Sequence, residues 1–546
     1  MDNTKPIYTA DLHENHRVDG IVLNLDDSRF LWPNQKRAAE MTVEDAYIYI
    51  DQYIGDGSHV TDLVLTVNTT FMSMFDSEVW SDQLDKYNAE TEFGKPVNHK
   101  NTQAAVIHRY SEELSVDVWK LWIDRLWERG VNPWLSFRMA DHHAHLANSP
   151  LTGSFFWNNI DKYARVLHRD NSIYRGDRCF DFTIKEVREK WLAYIEEAVT
   201  KYDVYGIELD WMRDPIFTTL GNELAASGML TQFMRDIKSI VTKREAVWGH
   251  KILLSVRCAR DIESCIDAGF DVLTWCSEGI IDWVCPASYY ISDNEIPVLT
   301  WKKILAPYNV KLVPNISQGC FSTREGSRTA SDISYYSQTA GGAPNVEMVS
   351  GTAYRYLSHG ADKVYIFNIF GDCGNPITKE HKIVTDRIYP INNAPENRPI
   401  LWKLLTTVGS YEKLAKCNRR YTLGYQDYSG LWGTAQRQIP VSVDRVGKYR
   451  YLHFYTGDIA AGKLTLRLGI EGEADISAAM EVFVNGKAAK YTHREENPFA
   501  YQSKSTLIYC FEVDASVING SAIVEFTTKD PNTPYTVVYG ELFAEA

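Results

Sequence analysis

The sequence of 546 residues predicts a (β/α)8 TIM barrel followed by a C-terminal all-β domain of the sandwich type. Before residue 370 the chain contains eight apolar runs, most of them continuous, as expected for parallel strands that are covered on both faces. Helical apolar spacing lies between the runs, and this alternation favours a closed barrel over an open sheet. Beyond about residue 415, short alternating runs separated by Gly, Asn and Asp predict the β domain. We therefore assign residues 1–414 to the barrel and 415–546 to the β domain.

The predicted barrel strands are short. They lie at residues 20–25, 61–67, 133–137, 205–209, 252–256, 281–285, 310–313 and 363–367. Helices are predicted at 115–129, 183–202 and 224–242, where apolar residues recur at helical spacing. Long insertions follow the second and third strands, near 70–105 and 146–180, and in a barrel they would project over the active face. No G-x-G-x-x-G follows the first strand, which removes the usual sign of dinucleotide binding.

The predicted β domain consists of short strands joined by turns. Its runs lie at residues 449–455, 464–468, 480–484, 506–511, 522–527 and 535–543. Asn485-Gly486 follows the third run and is typical of a tight hairpin. Two roles fit this domain, a structural one that caps the barrel, which we favour, and the binding of glycan.

Composition disfavours several classes of function. The net charge of −14 makes nucleic acid and anionic membranes poor partners. Nine scattered cysteines without a C-x-x-C pair indicate reduced thiols rather than a disulfide or zinc framework. We expect no signal peptide or transmembrane segment in this chain, because no apolar run is long enough. The expected location is the cytoplasm, or outside the cell after removal of a signal, and the insertions would suit a homodimer.

Polar side chains follow the predicted strands at the point where each strand ends. The third strand is followed by Arg138, Asp141, His142 and His143, and the fourth carries Glu208, Asp210 and Arg213. The other strands contribute Asn24, Asp26, Asp27, Asn68, Arg257, Ser288, Asn315 and Asn368. Because the carboxyl ends of barrel strands share one mouth, we expect these groups to meet. Carboxylates, amides and arginines around one cleft suit a polyhydroxylated ligand and acid–base chemistry.

These groups also have structural alternatives. Glu208 and Asp210 would serve in buried ion pairs with Arg138 or Arg213, and the acidic pair after the first strand would cap the next helix. The three histidines at 142–145 suggest zinc, but H-x-H alone is a weak pattern, and metal-dependent barrel hydrolases draw ligands from several strands. We therefore expect no metal at this site.

Two motifs carry a resemblance to a known group of proteins. The chain has an S-x-R-M-x-D-x-H strand end at residues 136–143 and a G-x-E-L-D-W-M-R strand at residues 206–213. With these it resembles the glycoside-hydrolase-like barrels, and it is most similar to the inverting exo-sialidases of glycoside hydrolase family 156 over roughly residues 15–400. The resemblance implies a (β/α)8 enzyme with a C-terminal β-rich region that releases terminal sialic acid with an Asp and a His.

The resemblance also implies roles for individual residues. Asp26, or its neighbour Asp27, and His143 would be the acid–base pair of an inverting hydrolysis, with Asp141 orienting the imidazole. Arginines would bind the sugar carboxylate, because guanidinium forks suit that anion. Together with the polar groups at the strand ends, this gives the candidate substrate-binding residues Arg138, Arg213, Asp27, Glu208, Asp210, Arg257, Asn315 and Asn368. No cofactor is expected, and the partner is a sialylated glycan or another carbohydrate.

Two other functions remain open from the sequence. A glycosidase for neutral or uronic-acid sugars would use Glu208 and Asp210 for its acid–base chemistry. A glycan-binding protein without activity would use the same cleft and show binding without turnover.

Overall fold

The eight predicted barrel strands are present and form one parallel sheet. The computed structural model describes residues 19–25, 30, 38–69, 71–88, 91–92, 95–96, 103–141, 158–164, 179–212, 215–288, 292–317, 346–367, 403–424, 438–459, 462–496 and 507–546. The barrel strands are β1 Ile21–Leu25, β2 Val60–Thr66, β3 Asn132–Arg138, β4 Gly206–Asp210, β5 Leu253–Ala259, β6 Trp283–Ala287, β7 Lys311–Leu312, β8 Asn315–Ile316 and β9 Val364–Phe367. The seventh predicted run is therefore followed by a further short strand, β8.

The barrel closes through β7 and β8, which are two halves of one interrupted strand. β7 pairs with β6, and β8 pairs with β9. Between them Val313 donates its N–H to the Val284 carbonyl at 2.9 Å, and the Pro314 carbonyl accepts from Tyr365 N–H at 3.1 Å. The interruption falls at a proline, which has no N–H to give to a sheet. The sheet order β7-β6-β5-β4-β3-β2-β1-β9-β8 is thereby joined into a ring.

Twelve α-helices of the barrel domain are described, and several of them begin or end at identifiable caps. They are α1 Val43–Asp51, α2 Gln83–Asn88, α3 Gln103–His108, α4 Val118–Glu128, α5 Ile160–Tyr163, α6 Lys185–Lys201, α7 Glu223–Trp248, α8 Ile262–Asp267, α9 Val272–Ser277, α10 Val298–Leu305, α11 Val346–Ser358 and α12 Tyr411–Leu414. A capping box of Thr42 and Asp45 starts α1. α7 continues beyond the predicted residue 242 and ends where Gly249 adopts a φ of 74°.

The amino-terminal end of the barrel is closed by a buried ion pair. Lys363 pairs with Asp62, which also accepts from Asn132 Nδ2 at 2.8 Å and from Trp134 Nε1 at 3.0 Å. Burial raises the pKa of Asp62, but the Lys363 charge and the hydrogen bonds outweigh it and lower the pKa overall. Trp134 crosses the interior against Gly206, where a Cβ would lie 2.3 Å from the indole ring. These contacts fill the interior of the barrel at its amino-terminal end, so a cleft for a ligand must lie at the carboxyl-terminal end of the strands.

The C-terminal part of the chain forms two antiparallel sheets. Its strands are β10 Arg419–Gly424, β11 Val441–Val443, β12 Arg450–Tyr455, β13 Lys463–Ile470, β14 Met480–Val484, β15 Lys487–Ala488, β16 Lys490–Glu496, β17 Leu507–Val513, β18 Ser521–Thr528 and β19 Tyr535–Glu545. One sheet has the order β10-β19-β13-β17-β16, with β11 also on β19, and the other has the order β12-β18-β14-β15. All six predicted runs are strands, and Asn485-Gly486 turns between β14 and β15 with both φ values positive.

The two sheets pack face to face, and one of them also contacts the barrel. A Cβ at Gly540 of β19 would lie 3.0 Å from the Phe454 ring of β12, which shows how closely the sheets approach. On the barrel side, a Cβ at Gly351 of α11 would lie 2.3 Å from the Arg420 carbonyl of β10. Within the described ranges, no helix is both long enough and apolar enough to cross a membrane.

Candidate functional site

Seven polar side chains, each only 0–3% exposed, lie at the carboxyl-terminal end of the barrel strands. We call them the mouth cluster: Asn24, Arg138, Asp141, Glu208, Asp210, Arg257 and Asn315. Three of them, Arg138, Asp210 and Arg257, are register partners on the adjacent strands β3, β4 and β5. Side chains that are paired in this way share one face of the sheet. The cluster therefore places a carboxylate in a row between two guanidinium groups.

Glu208 lies one inward-facing position below that row. Its Oε1 accepts from Ser136 Oγ at 2.8 Å and from the Tyr365 hydroxyl at 2.9 Å. Burial raises the pKa of Glu208 to about 7, and the negative charge of Asp210 adds to the shift, while Arg257 opposes it. Glu208 is therefore a carboxylic acid that retains its proton up to near neutral pH.

Asp210 and Arg257 form a fully buried ion pair. Arg257 donates to Asp210 Oδ2 at 2.6 Å, and Asp210 Oδ1 accepts from the Met212 N–H at 2.9 Å. Burial alone would lower the pKa of Arg257, but the Asp210 charge outweighs it and raises the pKa. The guanidinium also lies 3.8 Å from the centroid of the Phe367 ring. The pair is thus held in one position by contacts from three strands.

The end of β3 is fixed by two further contacts. Arg138 lies 3.6 Å from the Asp141 carboxylate, and both residues are buried. The Asn68 amide accepts from the Arg138 N–H at 3.0 Å and donates to the Arg138 carbonyl at 3.2 Å. These bonds hold the backbone of β3 at the residue where the sequence changes from apolar to polar.

Several polar atoms of the mouth cluster have no hydrogen-bond partner in the described structure. They are both side-chain polar atoms of Asn24, the Nδ2 atom of Asn315 and the Nε atom of Arg257. Each residue is 1% exposed. An unpartnered buried polar group costs roughly 1–3 kcal/mol, so four such atoms at one end of the barrel are expensive to retain. Hydroxyl and carboxylate groups of a bound sugar would supply the missing partners.

This interpretation predicts opposite effects of a single change on stability and on sugar binding. Asn24→Leu is expected to raise the free energy of unfolding by about 1 kcal/mol, because the unpartnered amide is removed, and to weaken sugar binding. Asn68→Leu is the matched control, since it removes an amide with partners and is expected to destabilise by roughly 1–3 kcal/mol. Urea unfolding and calorimetric titration with sugar measure both effects. Equal destabilisation by the two variants would contradict a ligand-binding role for Asn24.

The raised pKa of Glu208 predicts how stability depends on pH. Between its ordinary value of 4.5 and about 7, the unfolded chain releases the proton while the folded protein retains it. The stability contribution of this group therefore falls as pH rises through that window, by up to about 3 kcal/mol. Glu208→Gln keeps an oxygen for Ser136 and Tyr365 but cannot ionise, so its stability relative to wild type should increase from pH 4.5 to pH 7.5. Urea unfolding curves that differ by a constant amount at both pH values would refute this.

The structure brings together the predicted residues that it describes and adds others. Arg138, Asp141, Glu208, Asp210, Arg257 and Asn315 all lie in the mouth cluster. The predicted residues Asp26, Asp27, His143, Arg213 and Asn368 lie outside the described residues. The predicted ion-pair partners of Asp210 were Arg138 and Arg213. The partner in the structure is Arg257. Ser136 and Tyr365, the partners of Glu208, were also missed, although both face inward in the period-two pattern of their strands.

Comparison with known proteins gives structural matches alone. No family model matches the sequence, and no curated protein matches it. An α-L-fucosidase isoenzyme from Paenibacillus thiaminolyticus is 13% identical with a TM-score of 0.37, covering 64% of this chain and 46% of its own. This chain thus spans less than half the length of that enzyme.

Two further matches have the same low level of similarity. A putative α-L-fucosidase from Bacteroides thetaiotaomicron is 11% identical with a TM-score of 0.32, and 99% of each chain is covered. The PgaB glycoside hydrolase domain from Bordetella bronchiseptica is 9% identical with a TM-score of 0.39, covering 71% of this chain and 99% of its own. All three of these proteins are named as glycoside hydrolases. Structural similarity at this level says nothing about the activity of this chain, for which the mouth cluster is the evidence.

Proposed function

We propose that this protein is a glycoside hydrolase whose active site is the mouth cluster. The observation that carries the proposal is the set of unpartnered buried atoms on Asn24, Asn315 and Arg257 around the Asp210–Arg257 pair. A site that must bind several hydroxyl groups needs donors and acceptors that the protein leaves free, and these lie together at the end of the barrel where active sites form.

Glu208 and Asp210 are poorly arranged to be the two catalytic groups. They occupy successive inward positions of one strand, about 6.6 Å apart along it, so one lies below the other. Glycoside hydrolysis needs two groups that flank the scissile bond, on opposite faces of the sugar. Glu208 is also held from the side by Ser136 and Tyr365. This arrangement favours a supporting role for Glu208 beneath the substrate.

The strands β1 and β3 support a different catalytic pair. They are separated by β2 alone, so their ends lie about 10 Å apart at the usual spacing of strands. The acid and base of inverting enzymes are about 6.5–9.5 Å apart, which is compatible with one group after each of these strands. We therefore propose Asp26, or Asp27 beside it, and His143 as the acid–base pair, with buried Asp141 orienting the imidazole.

The chemistry of the mouth cluster favours a substrate with a carboxylate. The unpartnered atoms include three nitrogens that can donate and a single oxygen that can accept. The charges of Arg138 and Arg257 are matched by Asp141 and Asp210, so the surplus charge for an anion would come from Arg213. On this basis we propose an exo-acting sialidase that inverts the anomeric centre, with a sialylated glycan as substrate.

A second candidate is a hydrolase of neutral or uronic-acid sugars. The pKa of about 7 for Glu208 favours it, since a general acid must be protonated near neutral pH. In that enzyme Glu208 would be the acid and Asp210 the base or nucleophile. A third candidate is a glycan-binding protein, which would bind sugar through the same unpartnered atoms without cleaving it.

A panel of aryl glycosides, followed by NMR of the first anomer released, tests these alternatives. We expect cleavage of an aryl α-sialoside with the β-anomer appearing first, and little cleavage of glucuronides or neutral pyranosides. Cleavage of a glucuronide or a neutral sugar that is lost in Glu208→Gln would establish the second candidate. Binding of sugar without any turnover would indicate a glycan-binding protein.

A further inference from the structure

Three side chains capable of binding a metal meet at the edge of the β domain. In the described part of the chain, His493, Glu495 and Cys510 are the one group of this kind, with their ligand atoms all within 4.8 Å of one another. They come from β16, the edge strand, and its neighbour β17. The histidine is exposed, the glutamate is half-buried and the thiol is buried. A ligand could therefore enter from the solvent side and reach the thiol.

A β-bulge creates this grouping. Lys490 and Tyr491 of β16 pair in regular register with Glu512 and Phe511 of β17. The register then shifts by one residue, so that His493 instead of Thr492 lies opposite Cys510. Bulges re-aim side chains at the edges of sheets. Here the bulge puts the imidazole beside the thiol, and Glu495, two residues further on, shares the same face.

A chain of ion pairs, which we call the ion-pair ladder, connects helix α11 of the barrel domain to Glu495. Glu347 of α11 pairs with Arg420, Arg420 pairs with Glu541 at 2.6 Å, and Glu541 pairs with Arg467 at 3.1 Å. Arg467 then pairs with Glu495 through Oε1. Three carboxylates and two guanidinium groups leave one negative charge in the ladder, and its last carboxylate is that of Glu495.

The second oxygen of Glu495 faces the imidazole. Glu495 Oε2 lies 3.8 Å from His493 Nε2, which is too long for a hydrogen bond. Ligand atoms around a tetrahedral Zn²⁺, with bonds of about 2.0–2.3 Å, lie about 3.3–3.8 Å apart. The distance therefore suits two atoms bound to one ion, with Arg467 holding the other carboxylate oxygen as an outer partner.

We propose that His493, Glu495 and Cys510 bind one Zn²⁺, which clamps the edge strand β16 to β17. A borderline-soft ion suits this set of imidazole, carboxylate and thiolate ligands, and water would complete the tetrahedron. Cys510 binds as the thiolate, so one proton leaves on binding. Because the thiol and the imidazole bind in their deprotonated forms, zinc binding weakens as pH falls. This site is independent of the proposed hydrolase activity, and its ligands lack the close sequence spacing of common zinc motifs.

Zinc titration of the metal-free full chain against a chromophoric chelator tests the proposal. We expect one tight site in wild type, and at least about 100-fold weaker binding in His493→Ala and in Cys510→Ser. Cys417→Ser controls for loss of a thiol, and His143→Ala controls for zinc binding in the barrel. Both controls should retain the site.

Cobalt(II) gives a second readout that reports the thiolate directly. Wild type and the two controls should show the thiolate-to-metal charge-transfer band, and Cys510→Ser should lack it. His493 is exposed, so the metal-free His493→Ala variant should unfold at the same urea concentration as metal-free wild type. The proposal is wrong if wild type binds zinc no more tightly than His493→Ala and Cys510→Ser. It is also wrong if the two control variants lose as much zinc affinity as these site variants.

Discussion

Replacing His143 by alanine is expected to lower kcat/KM for an aryl α-sialoside by at least about 100-fold, the usual scale for a general acid or base. The reason is that His143 follows β3 by five residues, at the strand end fixed by Asn68 and by the Arg138–Asp141 pair. Steady-state kinetics with the purified variant measures the effect. His142→Ala is the matched control, because it removes the adjacent imidazole and should change kcat/KM by a few-fold at most.

The comparison of these two variants separates catalysis from folding. Both remove one imidazole from the same segment, so a shared loss of activity would indicate a structural effect on that segment. If His143→Ala retained near-wild-type turnover, His143 would be excluded from the mechanism. A large loss in His142→Ala alone would assign the role to the neighbouring histidine.

Asp210→Asn is expected to reduce the free energy of unfolding by about 3–5 kcal/mol, because it leaves the buried Arg257 charge without its counter-ion. The distance of 2.6 Å and the 1% exposure of both side chains make this pair costly to break. Urea unfolding at neutral pH measures the change. Adding Arg257→Met to Asp210→Asn should recover much of the loss, since the unpaired charge is then removed as well.

An exposed ion pair of similar geometry provides the control. Arg235 and Glu278 are 2.7 Å apart, but their side chains are 41% and 39% exposed. Glu278→Gln should therefore change stability by less than about 1 kcal/mol. If Asp210→Asn cost no more than Glu278→Gln, the Asp210–Arg257 pair would not be buried in solution, and the arrangement of the mouth cluster would need revision.

The barrel could be predicted because its strands are covered on both faces. All eight predicted apolar runs contain barrel strands, and only the short β8, Asn315–Ile316, lies outside them. The edge strand β16 was missed because Lys490–Glu496 is polar apart from Tyr491, and its extended structure depends on pairing with β17. Such a strand has no local pattern that distinguishes it from a loop.

The position of the mouth cluster could also be predicted, but not the pairing of its side chains. The change from apolar to polar residues marks the carboxyl end of β3 and β4, which is why Arg138, Asp141, Glu208 and Asp210 were found. The partner of Asp210 is set by the register between β4 and β5, where Arg257 lies opposite. Sequence alone does not fix that register, so the nearby arginines were equally acceptable partners.

A crystal structure of the wild-type protein soaked with sialic acid tests the central claim most directly. We predict one sugar at the carboxyl end of the barrel, with hydrogen bonds from Asn24 and Asn315 and with the carboxylate beside Arg213. Sugar bound at another place, with Asn24 and Asn315 still lacking partners, would contradict the account.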